Sequence, residues 1–282
     1  MKSILGRIRF LPVCLALGLA FLYIPILSLI IYSFNESKLV TVWSGFSTKW
    51  YGELFRNQQI IDAALLSLRI AVMSACAAVV LGTIAGFVLA RMRRFRGRTL
   101  LAGMSMAPLV MPEIITGLSL LLFFIALEKM TGWPNGRGIT TVTIAHITFS
   151  MAYVAVIVQS RLADMDPSLE EAAMDLGARP LKVFFAITLP IVAPALISGW
   201  LLAFTLSIDD LVIASFVSGP GASTLPMVIF SKVRLGVSPD INALATIIIG
   251  IVALGVLLAA LAFKRQERLQ GRDARLANLP ED

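Results

Sequence analysis

Arg161–Pro190, RLADMDPSLEEAAMDLGARPLKVFFAITLP, is the one stretch where charge and helix signals interrupt an otherwise apolar chain. Asp166 followed by Pro167 reads as a helix start, an acceptor side chain at the cap and a ring suited to the first helical position. Gly177 is the matching stop. Between them Leu169, Ala172, Ala173 and Leu176 fall at i, i+3, i+4 and i+7, predicting one apolar stripe on a helix of about ten residues, roughly 15 Å long. Glu170, Glu171 and Asp175 take the other face. So short a helix is marginal in water by itself and needs a protein or lipid surface to lie on.

On both sides of this stretch the sequence is membrane-like. Of its 282 residues 58% are hydrophobic and 15% charged, where soluble domains carry about 25% charged residues. Uncharged runs at Phe10–Phe34, Ile70–Ala90, Gly138–Ser160, Val183–Ile208 and Ile241–Phe263 each reach the roughly 20 residues of a spanning helix. Thr99–Leu127 makes a sixth if Glu113 is tolerated within it. The expected fold class is therefore all-α, a polytopic membrane protein of six transmembrane helices. The expected division is an N-terminal segment 1–10, one transmembrane domain 11–263 carrying the charged loop at 163–190, and a basic tail 264–282.

Lys2, Arg7 and Arg9, then Arg91, Arg93, Arg94, Arg96 and Arg98, then Arg161, Arg179 and Lys182, then Lys264, Arg265, Arg268, Arg272 and Arg275 make up 16 of the 24 basic residues. They mark alternate connections as cytoplasmic and put both termini inside. This asymmetry accounts for the net charge of +7 without nucleic acid, and the basic tail suits anionic lipid. The first apolar run is longer than a signal-peptide core and ends in no small-x-small site, so it reads as a retained span. Cys14 and Cys76 lack metal or disulfide spacing and read as packing residues. Trp43, Trp50 and Tyr51, in the longest outer segment, suit a membrane interface or the docking surface of an outside partner.

Inside the spans a few residues carry chemistry. Gly82 and Gly86 form a GxxxG pair that permits close helix approach. Glu113 lies among Pro108, Pro112 and Gly117, roughly 20 Å along a continuous helix, where a charge costs about 2.5–3.5 kcal/mol unless a polar cavity or partner receives it. The other reading is a helix broken at Pro112, with Glu113 offsetting the positive end of the restarted helix. Asp209 and Asp210 cannot share a helical face, so one is expected on a pathway while the other reaches interfacial water or caps the next turn. His146, the sole histidine, has no acid in its own run and reads as a satisfied packing residue. No Walker A loop, zinc motif, nucleophile elbow or dinucleotide fingerprint is present, which argues against an enzyme.

Glu171, Ala172, Ala173, Gly177, Ile187, Leu189 and Pro190 reproduce, over twenty residues, the EAA-x3-G-x9-I-x-LP loop. In this the chain resembles bacterial ATP-binding-cassette (ABC) importer permeases of the type I, MetI-like fold. YSFNESKLVTVW, APLVMPEIITGLSLLL, GWLLAFTLSIDDLVIASFVSGPG and SPDINALAT extend the likeness to the polyamine branch, from about Phe21 to Thr246. The resemblance implies a coupling helix that inserts into a groove of an ATPase subunit, with Glu170, Glu171, Ala172, Ala173 and Gly177 as the coupling residues. It implies a second homologous permease subunit, two ATP-binding-cassette subunits and a periplasmic polyamine-binding protein, in a bacterial inner membrane. No cofactor or metal is expected on this chain; ATP and Mg belong to the partner ATPase. Putrescine is the implied solute, with spermidine or another cation as the alternative, and Glu113, Asp209 and Asp210 as the pathway acids. An ion-coupled secondary transporter accounts for acids and broken helices but not for the loop. A scaffold has no use for membrane carboxylates, and a permease for an anion would meet repelling acids.

Overall fold

The computed structural model describes residues 2–38, 42–92, 94–236 and 238–255, with residues 257 and 261, and side chains from residue 10 onward. Arg93 and the whole tail 264–282, with Lys264, Arg265, Arg268, Arg272 and Arg275, lie outside the described residues. Among the described residues the regular secondary structure is helical, apart from a single antiparallel bridge between Asn35 and Phe46.

Residues 59–231 form one compact unit. Its helices are α3 (Gln58–Arg91), α4 (Arg98–Val110), α5 (Glu113–Thr131), α6 (Ile139–Ala163), α7 (Ser168–Asp175), α8 (Pro180–Val183), a π-helix over Phe184–Thr188, α9 (Leu189–Ile208), α10 (Val212–Val217) and the start of α11 (Leu225–Leu235). Helix α3 buries Ala71, Ala75, Ala78, Gly82 and Gly86 along one face. The stripe is small because α6 lies directly on it. A Cβ on Gly82 would stand 2.7 Å from the Val154 Cβ, and one on Gly86 would stand 2.7 Å from the Ala155 carbonyl oxygen. The GxxxG expectation is met by this contact. Two apolar clusters follow along α6: Val142, Ala145 and Phe149 pack with Ile70, Phe124, Ile213 and Val217, and Val154, Val158 and Leu162 pack with Ala75, Ala78, Val192 and Ala203.

The expected third span is broken. Helix α4 stops at Val110, Met111 and Pro112 are extended, and α5 begins at Glu113. Proline disfavours helical backbone at the residue before it and suits a helix start, so the chain breaks where Met111 meets Pro112. Glu113 thus heads a new helix instead of standing 20 Å along an old one. A second irregularity precedes α9. The Leu189 N–H reaches back five residues to the Phe184 carbonyl, and Pro190 next to it has no N–H to continue the regular ladder.

The other unit comprises the described parts of 1–58 and 232–282. It holds α1 (Lys2–Ser33), which contains Pro12 and Pro25, α2 (Lys49–Arg56) and α12 (Pro239–Gly255). After α1 the chain folds around the Asn35 amide. Asn35 Nδ2 donates to the Val42 carbonyl at 2.7 Å, its Oδ1 accepts from the Ser44 N–H, and its carbonyl accepts from Trp50 Nε1 at 2.6 Å. Trp50 is buried, correcting its expected place at a membrane interface, while Trp43 is half exposed. Tyr51 meets Ser33 at 2.7 Å. Cys14 and Cys76, expected in packing, are both exposed.

Among the described residues five helices, not six, are long and apolar enough to cross a membrane: Phe10–Ser33, Gln58–Arg91, Glu113–Thr131, Ile139–Ala163 and Pro180–Ile208. The break at Pro112 splits off α4 with 13 residues. Of the run expected at Ile241–Phe263 the described residues are helical, continuously over Pro239–Gly255, and residues 256, 258–260, 262 and 263 lie outside the described residues.

Candidate functional site

Two groups of expected site residues lie near opposite ends of α6. One surrounds His146, the other Leu162, sixteen residues and about 24 Å further along the helix.

Helix α7 has eight residues, shorter than the ten expected, because both of its ends are closed. At its start the Ser168 N–H donates to Asp166 Oδ1 at 3.0 Å. That bond and the Ser168 hydroxyl hold the Asp166 carboxyl below the usual carboxylate range. At its end the Gly177 N–H reaches the Met174 carbonyl and the Ala178 N–H the Ala173 carbonyl, a Schellman closure that needs the left-handed backbone of Gly177, φ +86°. No residue of α7 is buried. Its apolar stripe faces outward: Leu176 is 90% exposed and Leu169 48%, with Ala172 and Glu171 exposed beside them. Glu170 turns the other way. Its Oε2 lies 2.8 Å from Arg91 Nε, and its Oε1 accepts the Thr188 hydroxyl at 2.6 Å.

Near the other end α9 stops at Ile208, Asp209 and Asp210 interrupt the helix, and α10 begins at Val212. Asp210 is turned inward. Its carboxylate accepts the N–H groups of Ile213 and Ala214, capping α10, and meets His146 Nε2 at 3.1 Å. His146 Nδ1 lies 2.6 Å from the Ser207 hydroxyl, which accepts from Ser74 at 3.0 Å. With a proton on Nε2, Ser207 donates to Nδ1 and every member of the chain has a partner. This row of Ser74, Ser207, His146 and Asp210 is buried and joins α3, α9, α6 and α10. Asp209, next to it, is exposed. Glu113, also exposed, lies one turn before Gly117, whose Cα faces Phe216 and Ile213 so closely that a Cβ would stand 2.7 Å from the Phe216 ring. The two helix breaks therefore flank packed elements.

The structure brings Glu171 and Ala172 together on one exposed helix with Gly177 in the turn that closes it, separates Glu170 from them, and parts Asp209 from Asp210. Sequence reasoning missed Arg91, taken only as a marker of sidedness, and the acid that partners His146, which arrives 64 residues later. The available signals were Arg91 ending an uncharged run and two consecutive acids where one suffices for a pathway.

No group of three or more His, Cys, Asp or Glu residues among those described is placed to hold a metal ion. What the geometry offers is a surface helix tied to a bundle and carboxylates at two helix breaks. Residues 78–271 match the binding-protein-dependent transport system inner membrane component. The chain belongs to that family. It is a multi-pass membrane permease subunit and not an enzyme. It is 62% identical, over 94% of both chains, to the putrescine transport system permease protein PotI of Escherichia coli (strain K12). It is 42% identical, over 88% of this chain and 91% of the other, to the spermidine/putrescine transport system permease protein PotC of the same strain. In fold it is similar to a chain of the bacterial alginate ABC transporter, with a TM-score of 0.70 at 17% identity over 94% of this chain and 95% of that one.

Proposed function

We propose that the chain is the membrane permease subunit of an ATP-driven importer that carries polyamines, putrescine foremost, from periplasm to cytoplasm by alternating access. The observation that carries this reading is the 62% identity to PotI across 94% of both chains. The geometry supports it in two ways. Leu169, Ala172 and Leu176 make α7 an apolar ridge facing away from its own protein, the shape a groove on an ATP-binding subunit receives. Glu113 and Asp209 are exposed carboxylates at helix breaks, where weak, successive contacts suit a polycation that must be released again.

In this reading Glu171, Ala172, Ala173 and Gly177 form the coupling surface, Glu113 and Asp209 are the acids that face the solute pathway, and Asp210 stands behind Asp209 as the cap of α10. A second homologous permease chain, two ATP-binding-cassette subunits and a periplasmic polyamine-binding protein complete the importer. The Lys and Arg distribution orients 1–10 and 264–282 to the cytoplasm, with 11–263 as the transmembrane domain of six spans, α12 belonging to the last. ATP closure of the cassettes moves α7, and the spans open outward to accept the cation.

The test is uptake of labelled putrescine by cells lacking this gene and then regaining it, with unlabelled spermidine as competitor. Restored uptake that spermidine barely inhibits is expected. The 42% identity to PotC motivates the second reading, a spermidine permease, and strong inhibition by spermidine would favour it. Uptake indifferent to the gene would remove the polyamine assignment.

A further inference from the structure

We infer that Arg91, Glu170 and Thr188 form the joint that passes motion from α7 into the spans, Glu170 acting as a positioning residue and not as a docking one. The inference rests on the coupling role of α7 proposed above and adds what connects that helix to the bundle. Four elements meet here. Arg91 is the last residue of α3; its Nη1 donates to the Leu162 carbonyl at 3.1 Å, and Leu162 stands at the C-terminal end of α6. Its Nε lies 2.8 Å from Glu170 on α7, and Glu170 accepts the hydroxyl of Thr188, in the π-helix at the root of α9.

The side chains of Glu170 and Arg91 are only 13% and 18% exposed, and Thr188 is 1% exposed. A carboxylate so placed presents little surface to a docking subunit. An internal tie is its available role. Beside it α7 spans a cavity of about 200 Å³ lined by Phe87, Met174, Pro180 and Phe184, so this edge of α7 is not packed solid against the bundle. The polar contact crosses that edge.

One planar guanidinium pairs by charge with Glu170 on α7 while its Nη1 donates to the Leu162 carbonyl on α6, so a shift of α7 reaches α3 and α6 through one rigid group. Arg91 Nε and Nη2 are both buried and neither donates a hydrogen bond among the described residues, so the 2.8 Å contact with Glu170 is an ion pair held by charge and not by an aimed N–H. Neutralising Glu170 would therefore leave a largely enclosed cation with only the Leu162 carbonyl, a change that a structure resists strongly. The π-helix is the other receiving end. Such segments recur at functional sites, and this one precedes the spanning helix that leads to Asp209.

The test uses the complete transporter, purified and reconstituted, with two readouts: retention of the ATP-binding subunits, and ATP hydrolysis stimulated by the loaded binding protein. Glu170→Gln and Thr188→Val are expected to keep the ATP-binding subunits attached while stimulated hydrolysis falls about tenfold, the scale of coupling changes. Arg91→Lys, which keeps the charge, is expected to retain more stimulated hydrolysis than Arg91→Gln. Loss of the ATP-binding subunits in Glu170→Gln would put Glu170 on the docking face and overturn the inference. Unchanged stimulation in Glu170→Gln and Thr188→Val, or equal loss in Arg91→Lys and Arg91→Gln, would overturn it as well. Glu171→Lys serves as the separate control: if it leaves the ATP-binding subunits bound and hydrolysis coupled, the docking role of α7 itself fails, whatever Glu170 does.

Discussion

His146 and Asp209 show how two polar residues in one neighbourhood take different work. His146 is 2% exposed and holds Ser207 on one ring nitrogen and Asp210 on the other. Replacing it with alanine leaves a buried carboxylate with only its two helix-cap bonds, a loss of about 3 kcal/mol. Thermal unfolding of the purified chain in detergent checks this: His146→Ala should melt earlier, and His146→Gln, which keeps one donor, should recover part of the loss. Asp209 has no such task and is exposed. Asp209→Asn should therefore leave melting unchanged yet raise the putrescine concentration for half-maximal uptake about tenfold, the scale of one charge-assisted contact. The spacing of Glu171 to Pro190 was legible in the sequence because it is local. The pairing of His146 with Asp210 was not, because residues 64 apart meet only once α9 ends beside α6. Asp210 could be read as a cap or a pathway acid, and only the packed structure shows it capping α10.

At the scale of elements, the contact between α3 and α6 depends on glycine more than on apolar bulk. Gly82 meets the Val154 side chain and the Met151 carbonyl with no room for a methyl group. Gly82→Ala should destabilise the chain by about 1–3 kcal/mol through forced separation of the two helices, read as an earlier unfolding transition. Gly103, with nothing within 4 Å of its added Cβ, is the matched control in which alanine should change little. The GxxxG pair was visible in the sequence, and so was a helix closed at Gly177. Of the two readings of the third run, the break at Pro112 holds and the continuous span Thr99–Leu127 does not, since hydropathy averages over Met111 and Pro112 while the backbone cannot. The outward direction of the α7 stripe could not be read either: periodicity finds an apolar face but does not say whether the parent protein covers it.

For the whole molecule, apolar composition, the alternating Lys and Arg segments and the EAA loop were enough to reach a membrane permease of the importer family. Absent from the sequence were the contacts that join its parts. Arg91, Leu162, Glu170 and Thr188 come from four separate segments and meet at one end of the bundle, about 24 Å along α6 from His146. In the proposed function the solute acids stand near one end and α7 takes up the work of ATP at the other, so an ion gradient through the membrane acids has no part in it. The direct measurement is accumulation of labelled putrescine in proteoliposomes holding the complete transporter and its binding protein, with ATP or an imposed ion gradient supplied separately. Accumulation that requires ATP, ignores the gradient and is abolished by Glu171→Lys is the predicted result; accumulation that follows the gradient and proceeds without ATP would contradict the account.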